Sequence, residues 1–204
     1  MRAFVLCLIL SCLAPAAAAV RQDDELKVPA EVVPFVEAGS KAIAVEAADL
    51  NGDGRGDFVL VLERENPAQD ADDFPVGQRP LLILVRGADG KLSAAKRNER
   101  VVMCSRCGGV FGDPFEGVTV GRGTFTVNFY GGSNWRWAYS YRFNYSRLDK
   151  TWQLVRAEES SFHTSDPDKM KTLVFIPPRD YGKVDIADFD PENYKRPAKG
   201  KGRK

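Results

Sequence analysis

Residues 42–62 read Ala-Ile-Ala-Val-Glu-Ala-Ala-Asp-Leu-Asn-Gly-Asp-Gly-Arg-Gly-Asp-Phe-Val-Leu-Val-Leu. The segment 42–47 alternates in the way that a half-buried strand does, and the segment 58–63 is a short apolar run of the kind found in buried strands. The three glycines between them allow positive φ angles, so that the intervening loop can curl tightly. This stretch predicts a β-hairpin, and with it a fold built from antiparallel sheets.

Much of the remaining chain repeats this strand pattern, and Asp89-Gly90 is a typical hairpin turn. No long segment has apolar residues spaced by three and four, so we expect little helix. The predicted fold is mostly β, with two small antiparallel sheets packed as a sandwich; each sheet is similar to a propeller blade, but a closed propeller needs about 4 to 8 blades. Further strands are predicted at 80–86, 91–97, 117–120, 124–130, 135–145 and 152–157, with a last core strand at 171–176.

The amino-terminal residues have the composition of a secretory leader. Arg2 precedes an apolar run over 3–13 and four alanines over 16–19. This pattern predicts a signal peptide over 1–19, because the run is shorter than the roughly 20 residues that span a bilayer. Lipid attachment at Cys12 is the alternative. We expect a periplasmic or secreted protein with no transmembrane segment after cleavage.

The charge is distributed unevenly. The chain has 29 basic and 28 acidic residues, but six basic residues lie in the last ten positions; without these six and Arg2, 22 basic residues remain against 28 acidic ones. We expect a flexible arm over 20–38, a single β domain over 39–180 and an acidic, then basic, largely disordered tail over 181–204. So few tail charges favour only weak attraction to nucleic acid, which we therefore do not expect as a partner.

The loop between the first two strands has the composition of a calcium site. Asp49, Asn51, Asp53 and Asp57 occupy positions 1, 3, 5 and 9 of the loop, and the carbonyl of Arg55 occupies position 7. Calcium takes about six to eight oxygen ligands, and a tightly curled loop directs alternate residues inward. The spacing predicts one structural Ca²⁺ held by these five residues. The alternative is an Asx-rich hairpin turn without metal.

An EF-hand begins in the same way but ends with a carboxylate at position 12, where this chain has Leu60. With an aspartate at position 9 and strands on both sides, the loop resembles the calcium loop of FG-GAP and VCBS repeats, as in integrin-type propellers. The resemblance covers a single repeat over 43–62, and the Phe-Gly pair that names FG-GAP is missing ahead of it. It implies a structural calcium site in a bacterial exported protein and no particular activity.

Cys104 and Cys107 remain after the leader, with Cys7 and Cys12, is removed. A lone pair in an oxidising compartment favours a structural disulfide. A zinc site would need two more ligands, and the mature chain offers only His163. Redox activity would need the pair at the start of a helix, where Gly108-Gly109 is unfavourable.

Residues 135–145 place six aromatic side chains on one face of a strand, because strand side chains alternate. This face can be part of the sandwich core or a platform on which sugars stack. Trp135 and Arg136, next to the preceding turn, are the candidate ligand-binding residues. The six are Trp135, Trp137, Tyr139, Tyr141, Phe143 and Tyr145.

We assign no catalytic residue, because the sequence contains no recognisable catalytic motif. The favoured function is an exported, non-catalytic, calcium-stabilised binding or structural protein of the cell envelope, with a glycan or an envelope protein as candidate partner. The alternative is a hydrolase of extracellular or cell-wall glycans, for which two carboxylates are needed. Asp113 and Glu116 are the candidates for that pair.

Overall fold

The structure, a computed structural model, describes residues 26–69, 75–76 and 78–195. The predicted leader at 1–19 with Cys12, and the tail from residue 196 onward, lie outside the described residues. The strands are β1 (Ser40–Ala48), β2 (Asp57–Arg64), β3 (Ala68–Gln69), β4 (Pro75–Val76), β5 (Leu81–Arg86), β6 (Leu92–Asn98), β7 (Phe115–Gly121), β8 (Thr124–Gly132), β9 (Trp135–Ser146), β10 (Thr151–His163) and β11 (Asp166–Phe175).

Two antiparallel sheets form the fold. The first has the order β1-β2-β5-β6, and the second has the order β11-β10-β9-β8-β7, while β3 and β4 pair separately. Within the described residues the sheets close into neither a barrel nor a propeller, and helix is limited to short 3-10 turns. The predicted class, mostly β with two antiparallel sheets, is confirmed.

The main core lies between the sheets. Alternate residues of β2 and β5 face it, and the second sheet contributes mainly aromatic side chains, among which Phe125 and Phe143 stack at a centroid distance of 5.1 Å. Leucines from the other face of β2 and β5 form a second cluster, so both strands are buried on both faces. This is why 58–62 is apolar without alternation. Members of the main core include Val59, Val61, Leu81, Ile83, Phe125, Val127, Phe143 and Leu154.

The second cluster is closed by residues that we expected in a flexible arm. Val32 is fully buried against Phe58, Leu60 and Leu62, and Val28 and Phe35 pack beside it. A 3-10 turn over Val33–Phe35 follows Pro29 and brings these side chains onto the sheet. The part of the predicted arm from residue 28 to residue 36 is therefore part of the domain.

The core also continues past the expected domain end at residue 180. Tyr181, Ile186 and Phe189 are fully buried and Tyr194 is nearly so. Phe189 packs edge-on against Phe143 with ring centroids 5.2 Å apart. The acid-rich composition predicted disorder here, but the apolar residues, irregularly spaced, fill the sandwich, and the domain extends to at least Tyr194.

The edge strand β11 differs from its prediction as a core strand at 171–176. Most of its residues are exposed, and its only sheet neighbour is β10. This edge strand leaves most of its side chains in solvent, including the apolar Met170 and Leu173. Among the residues that the structure describes, no helix is long and apolar enough to cross a bilayer.

Asn98 joins the carboxyl-terminal segment to the first sheet. Its amide donates to the carbonyls of Ile186 and Phe189 at 2.6 and 2.7 Å, and its Oδ1 accepts from the backbone N–H groups of Arg100 and Val101. This buried side chain thus satisfies four backbone groups at once.

We predict that Asn98→Ala lowers the free energy of unfolding by about 3 kcal/mol, because buried backbone groups lose their partners. Urea denaturation would measure this loss. The exposed Asn144→Ala serves as control and should change stability by no more than about 0.5 kcal/mol. Equal effects of the two substitutions would contradict the role assigned to Asn98.

Candidate functional site

The acidic loop connects β1 to β2 and is attached to the second sheet by its own backbone. Leu50 is fully buried in the main core, and its carbonyl accepts a hydrogen bond of 2.8 Å from Nε1 of Trp152. The carbonyl of Asp49 accepts from the N–H of Gly123 at 2.8 Å. The loop therefore bridges the two sheets at one end of the sandwich.

Asp57, the ninth residue of the loop, is fully buried. Its Oδ2 accepts from the backbone N–H of Leu50 at 3.0 Å, and its Oδ1 accepts from the N–H of Arg86 at 2.9 Å. Burial raises the pKa of Asp57, and these hydrogen bonds oppose the shift. The carboxylate fixes the loop closure and its position against β5.

Asp49, the first residue of the loop, has one satisfied and one unsatisfied oxygen. Its Oδ2 accepts from the N–H of Gly54 at 3.0 Å and lies 3.3 Å from Nε of Arg122. Its Oδ1 is shielded from solvent and has no hydrogen-bond partner among the residues that the structure describes. An unpartnered buried carboxylate oxygen is costly, so this atom is the best candidate ligand for a cation.

Asn51 and Asp53 curl the loop through local hydrogen bonds. Oδ1 of Asn51 accepts from the N–H of Asp53, and Oδ1 of Asp53 accepts from the N–H of Arg55, both at 2.9 Å. Oδ2 of Asp53 contacts Nη2 of Arg55 at 2.7 Å. Slight burial acts to raise the pKa of Asp53, but hydrogen bonds from Arg55 and Asn51 outweigh it and lower the pKa below its ordinary value.

Arg55 was predicted as a ligand through its carbonyl, and its side chain has a second function. Its Nε donates to the carbonyl of Arg86 at 3.0 Å, while its Nη2 neutralises Asp53. Within residues 26–69, 75–76 and 78–195, no three His, Cys, Asp or Glu side chains are gathered into a group that could hold a metal ion. The loop carboxylates are thus each directed to a different partner.

Asp113, a candidate acid of the alternative hydrolase, is an exposed residue that pairs with a buried arginine in an ion-pair network that the sequence does not reveal. Arg79, almost fully buried, donates to both oxygens of Asp113 at 2.6 and 2.5 Å and to Oε1 of Glu63 at 2.6 Å. Burial opposes ionisation, but the guanidinium lowers the pKa of Asp113 and of Glu63. A carboxylate held ionised in this way is unsuited to donate a proton at neutral pH. Glu116 lies exposed on β7.

Cys104 and Cys107 form a disulfide, with the sulfur atoms 1.99 Å apart. The segment adopts turns, with the N–H of Cys107 donating to the carbonyl of Cys104 at 3.1 Å, and no helix begins there. The disulfide closes a tight turn in the segment that connects β6 of the first sheet to β7 of the second. The absence of a helix start in this described segment favours the structural interpretation over the redox one.

The six aromatic residues of β9 differ in burial along the strand. Tyr141 and Phe143 are buried in the core and Tyr145 packs against Trp152, whereas the Trp135 side chain is 63% exposed. Between these residues, Trp137 and Tyr139 are half-buried and stack with ring centroids 4.8 Å apart. The row is therefore core at one end and accessible surface at the other.

Trp135 and Arg136 lie at the same end of β9 but on opposite faces of the sheet. The ring of Trp135 meets His163 edge-on at 5.1 Å, whereas the guanidinium carbon of Arg136 lies 4.2 Å from the ring centroid of Phe111. Phe111 in turn contacts Tyr130 at 5.2 Å. The sequence does not reveal the role of Phe111, because its glycine-rich loop carries no periodic signal that would place it over β9.

Comparison of the chain with protein-family models, with curated proteins and with solved structures finds no match. The interpretation of the loop and of the exposed aromatic end therefore depends on their geometry.

We predict that Arg79→Met lowers the free energy of unfolding at pH 7 by about 3 kcal/mol, because Glu63 and Asp113 lose their buried cation. Both carboxyl groups have folded-state pKa values below their ordinary ones. The stability that the two ionised carboxylates contribute is therefore fully present above their ordinary pKa, near pH 4. It is lost as the pH falls through the lowered pKa values of the folded state. The variant should lose less stability than the native chain between about pH 5 and pH 2.

Urea denaturation across this pH range would test the prediction. Arg100→Met is the control, since Arg100 is exposed and its pair with Asp190 is a surface pair, expected to contribute less than about 1 kcal/mol. If the free energy of unfolding of Arg79→Met changed with pH in the same way as that of the native chain, the ion-pairing role assigned to Arg79 would be contradicted.

Proposed function

We propose that this chain is an exported, non-catalytic binding or structural protein of the cell envelope, stabilised by Ca²⁺ in the loop from Asp49 to Asp57. The observation that carries the proposal is the buried Oδ1 of Asp49, which has no partner. A hard cation is the natural partner for such an oxygen among alternate carboxylate and amide side chains.

The loop residues offer the oxygen ligands that calcium prefers, although no three of the carboxylates are gathered into a metal-holding group among the described residues. Asp49, Asn51, Asp53 and Asp57 offer side-chain oxygens, and Arg55 offers its carbonyl. The hydrogen bonds from Gly54 to Asp49 and from Asp53 to Asn51 keep the loop curled without using Oδ1 of Asp49. Calcium would have to compete with the guanidinium of Arg55 for Asp53, so we expect moderate affinity. The likeness to a single FG-GAP or VCBS calcium loop is part of the same proposal.

The structural role of the candidate acids supports a non-catalytic function. Asp113 is engaged by Arg79 through both oxygens. His163 has its Nδ1 within 2.7 Å of the hydroxyl of Ser165 and accepts the backbone N–H of the same residue, which is a local turn contact. The hydroxyl of Ser165 and the imidazole of His163 are paired, but no carboxylate among the described residues orients the ring, as a catalytic triad requires.

The proposed location rests on two features. The sequence over 1–19 has the pattern of a secretory leader. The bonded pair Cys104–Cys107 is typical of an oxidising compartment such as the periplasm or the extracellular space.

We predict that Ca²⁺ raises the melting temperature of chelator-treated protein and releases or absorbs heat in calorimetric titration. At 100 times the dissociation constant, the stabilisation is about 2.7 kcal/mol. Asp49→Asn should reduce this stabilisation strongly, because it removes the negative charge at the unpartnered oxygen.

The matched control is Asp89→Asn in the β5–β6 turn, where Asp89 only accepts the N–H of Lys91; its response to Ca²⁺ should equal that of the native chain. A melting temperature of the native protein that is independent of Ca²⁺ would refute the calcium site. Mg²⁺ at the same concentration tests whether the effect is selective for the larger ion.

A further inference from the structure

Three turns meet at the end of the second sheet that is opposite the acidic loop. They are residues 108–112, 131–135 and 163–166, joined by hydrogen bonds from Gly132 to Gly108 at 2.9 Å and from Thr164 to Asn134 at 2.8 Å. β8 runs from Thr124, beside the acidic loop, to Gly132. Nine strand residues span roughly 27 Å, so the two sites are well separated.

Close backbone packing fixes the geometry of these turns. A Cβ atom on Gly108 would lie 2.6 Å from the carbonyl oxygen of Gly112, and one on Gly132 would lie 2.0 Å from that of Trp135. The Cys104–Cys107 disulfide and the Arg79–Asp113 pair anchor the two ends of the first turn. The side chains carried by these turns are consequently held in place before any ligand arrives.

Aromatic side chains are exposed on both faces of this end of the sheet, and we name the surface that they form with the turns the aromatic tip. Trp135 is 63% exposed and Phe111 is 47% exposed. Exposed large aromatic side chains on a rigid scaffold mark binding surfaces more often than isolated aliphatic ones do. The aromatic tip consists of Val110, Phe111, Tyr130, Trp135, Arg136 and His163.

The aromatic tip contains a cation that has no anionic partner in the described part of the chain. Nη1 of Arg136 is shielded from solvent and makes no hydrogen bond, while the guanidinium carbon lies 4.2 Å from the Phe111 ring centroid. The acids of the neighbouring turns are engaged elsewhere, Asp113 by Arg79 and Asp166 by Lys169. A partly desolvated guanidinium beside aromatic rings is a site for a carboxylate.

We propose that the aromatic tip binds a glycan that carries carboxylate groups. The indole of Trp135 would stack on the apolar face of a sugar ring on one face of the sheet. On the other face, Arg136 would pair with a carboxylate of the same glycan, which would pass over the turns between the two residues. The exposed polar residues around the indole, Ser133, Asn134 and Thr164, suit the hydroxyl groups at the edge of a sugar better than a continuous apolar protein surface. This inference rests on the binding role proposed above and names its ligand class.

The test compares two hexasaccharides of equal length, hyaluronan hexasaccharide, with three carboxylates, and neutral chitohexaose, by isothermal titration calorimetry. The native protein should bind the first more tightly, with an affinity that falls as salt rises. Trp135→Ala should weaken binding about tenfold, as loss of an aromatic anchor does. Arg136→Gln should abolish the preference for the charged sugar, and Arg136→Lys should retain part of it.

Leu148→Ala is the control, because Leu148 is 94% exposed in the turn at the opposite end of β9; it should bind like the native chain. If Arg136→Gln fails to fold, Trp135→Ala, at an exposed position, decides the outcome. Any of three results would overturn the proposal: equal binding of both sugars, no binding of either, or self-association of the protein that Trp135→Ala abolishes. Asp49→Asn should leave sugar binding intact below its melting temperature, so failure of the calcium site and failure of this site are distinguishable.

Discussion

The buried carboxylate of Asp57 is the constraint on which the arrangement of the two sheets depends. It closes the acidic loop by accepting from Leu50 and holds that loop against β5 by accepting from Arg86. Because the position of the loop is fixed in this way, Leu50 enters the core. Its carbonyl accepts a hydrogen bond from the indole N–H of Trp152 in the second sheet. One desolvated anion therefore determines where the first hairpin meets the opposite layer, which explains why its burial is tolerated.

Much of the fold follows from the sequence, and the parts that do not have physical reasons. Strict alternation predicts β8 and β9, and the unbroken apolar run predicts β2, because period and burial are local signals. The segments 28–36 and 181–194 were missed because short turns and 3-10 structure carry no period. Their side chains, among them Val32 and Phe189, become core residues only through the shape of the sandwich.

The candidate sites were predictable to different degrees. The spacing of the loop residues indicates a cation site, but the division of roles is a product of the fold: Asp57 satisfies backbone groups, Asp53 meets Arg55, and Asp49 keeps one unpartnered oxygen. Likewise, the sequence singles out Trp135 and Arg136, yet it cannot bring Phe111 over the guanidinium. That contact depends on the approach of Gly109 to Gly132, and these two glycines lie far apart in the chain.

The two ends of the second sheet are connected through strand register. Phe125 stacks on Phe143, and the hydroxyl of Thr124 donates to the carbonyl of Phe143 at 3.1 Å, near the acidic loop. Because side chains alternate with a period of two, a shift of one residue there would exchange the faces of Trp135 and Arg136 at the far end. The core therefore fixes which side chain the aromatic tip presents on each face. A cation bound in the acidic loop would therefore act on the fold, through that register, and the chemistry of the tip would remain that of its own residues.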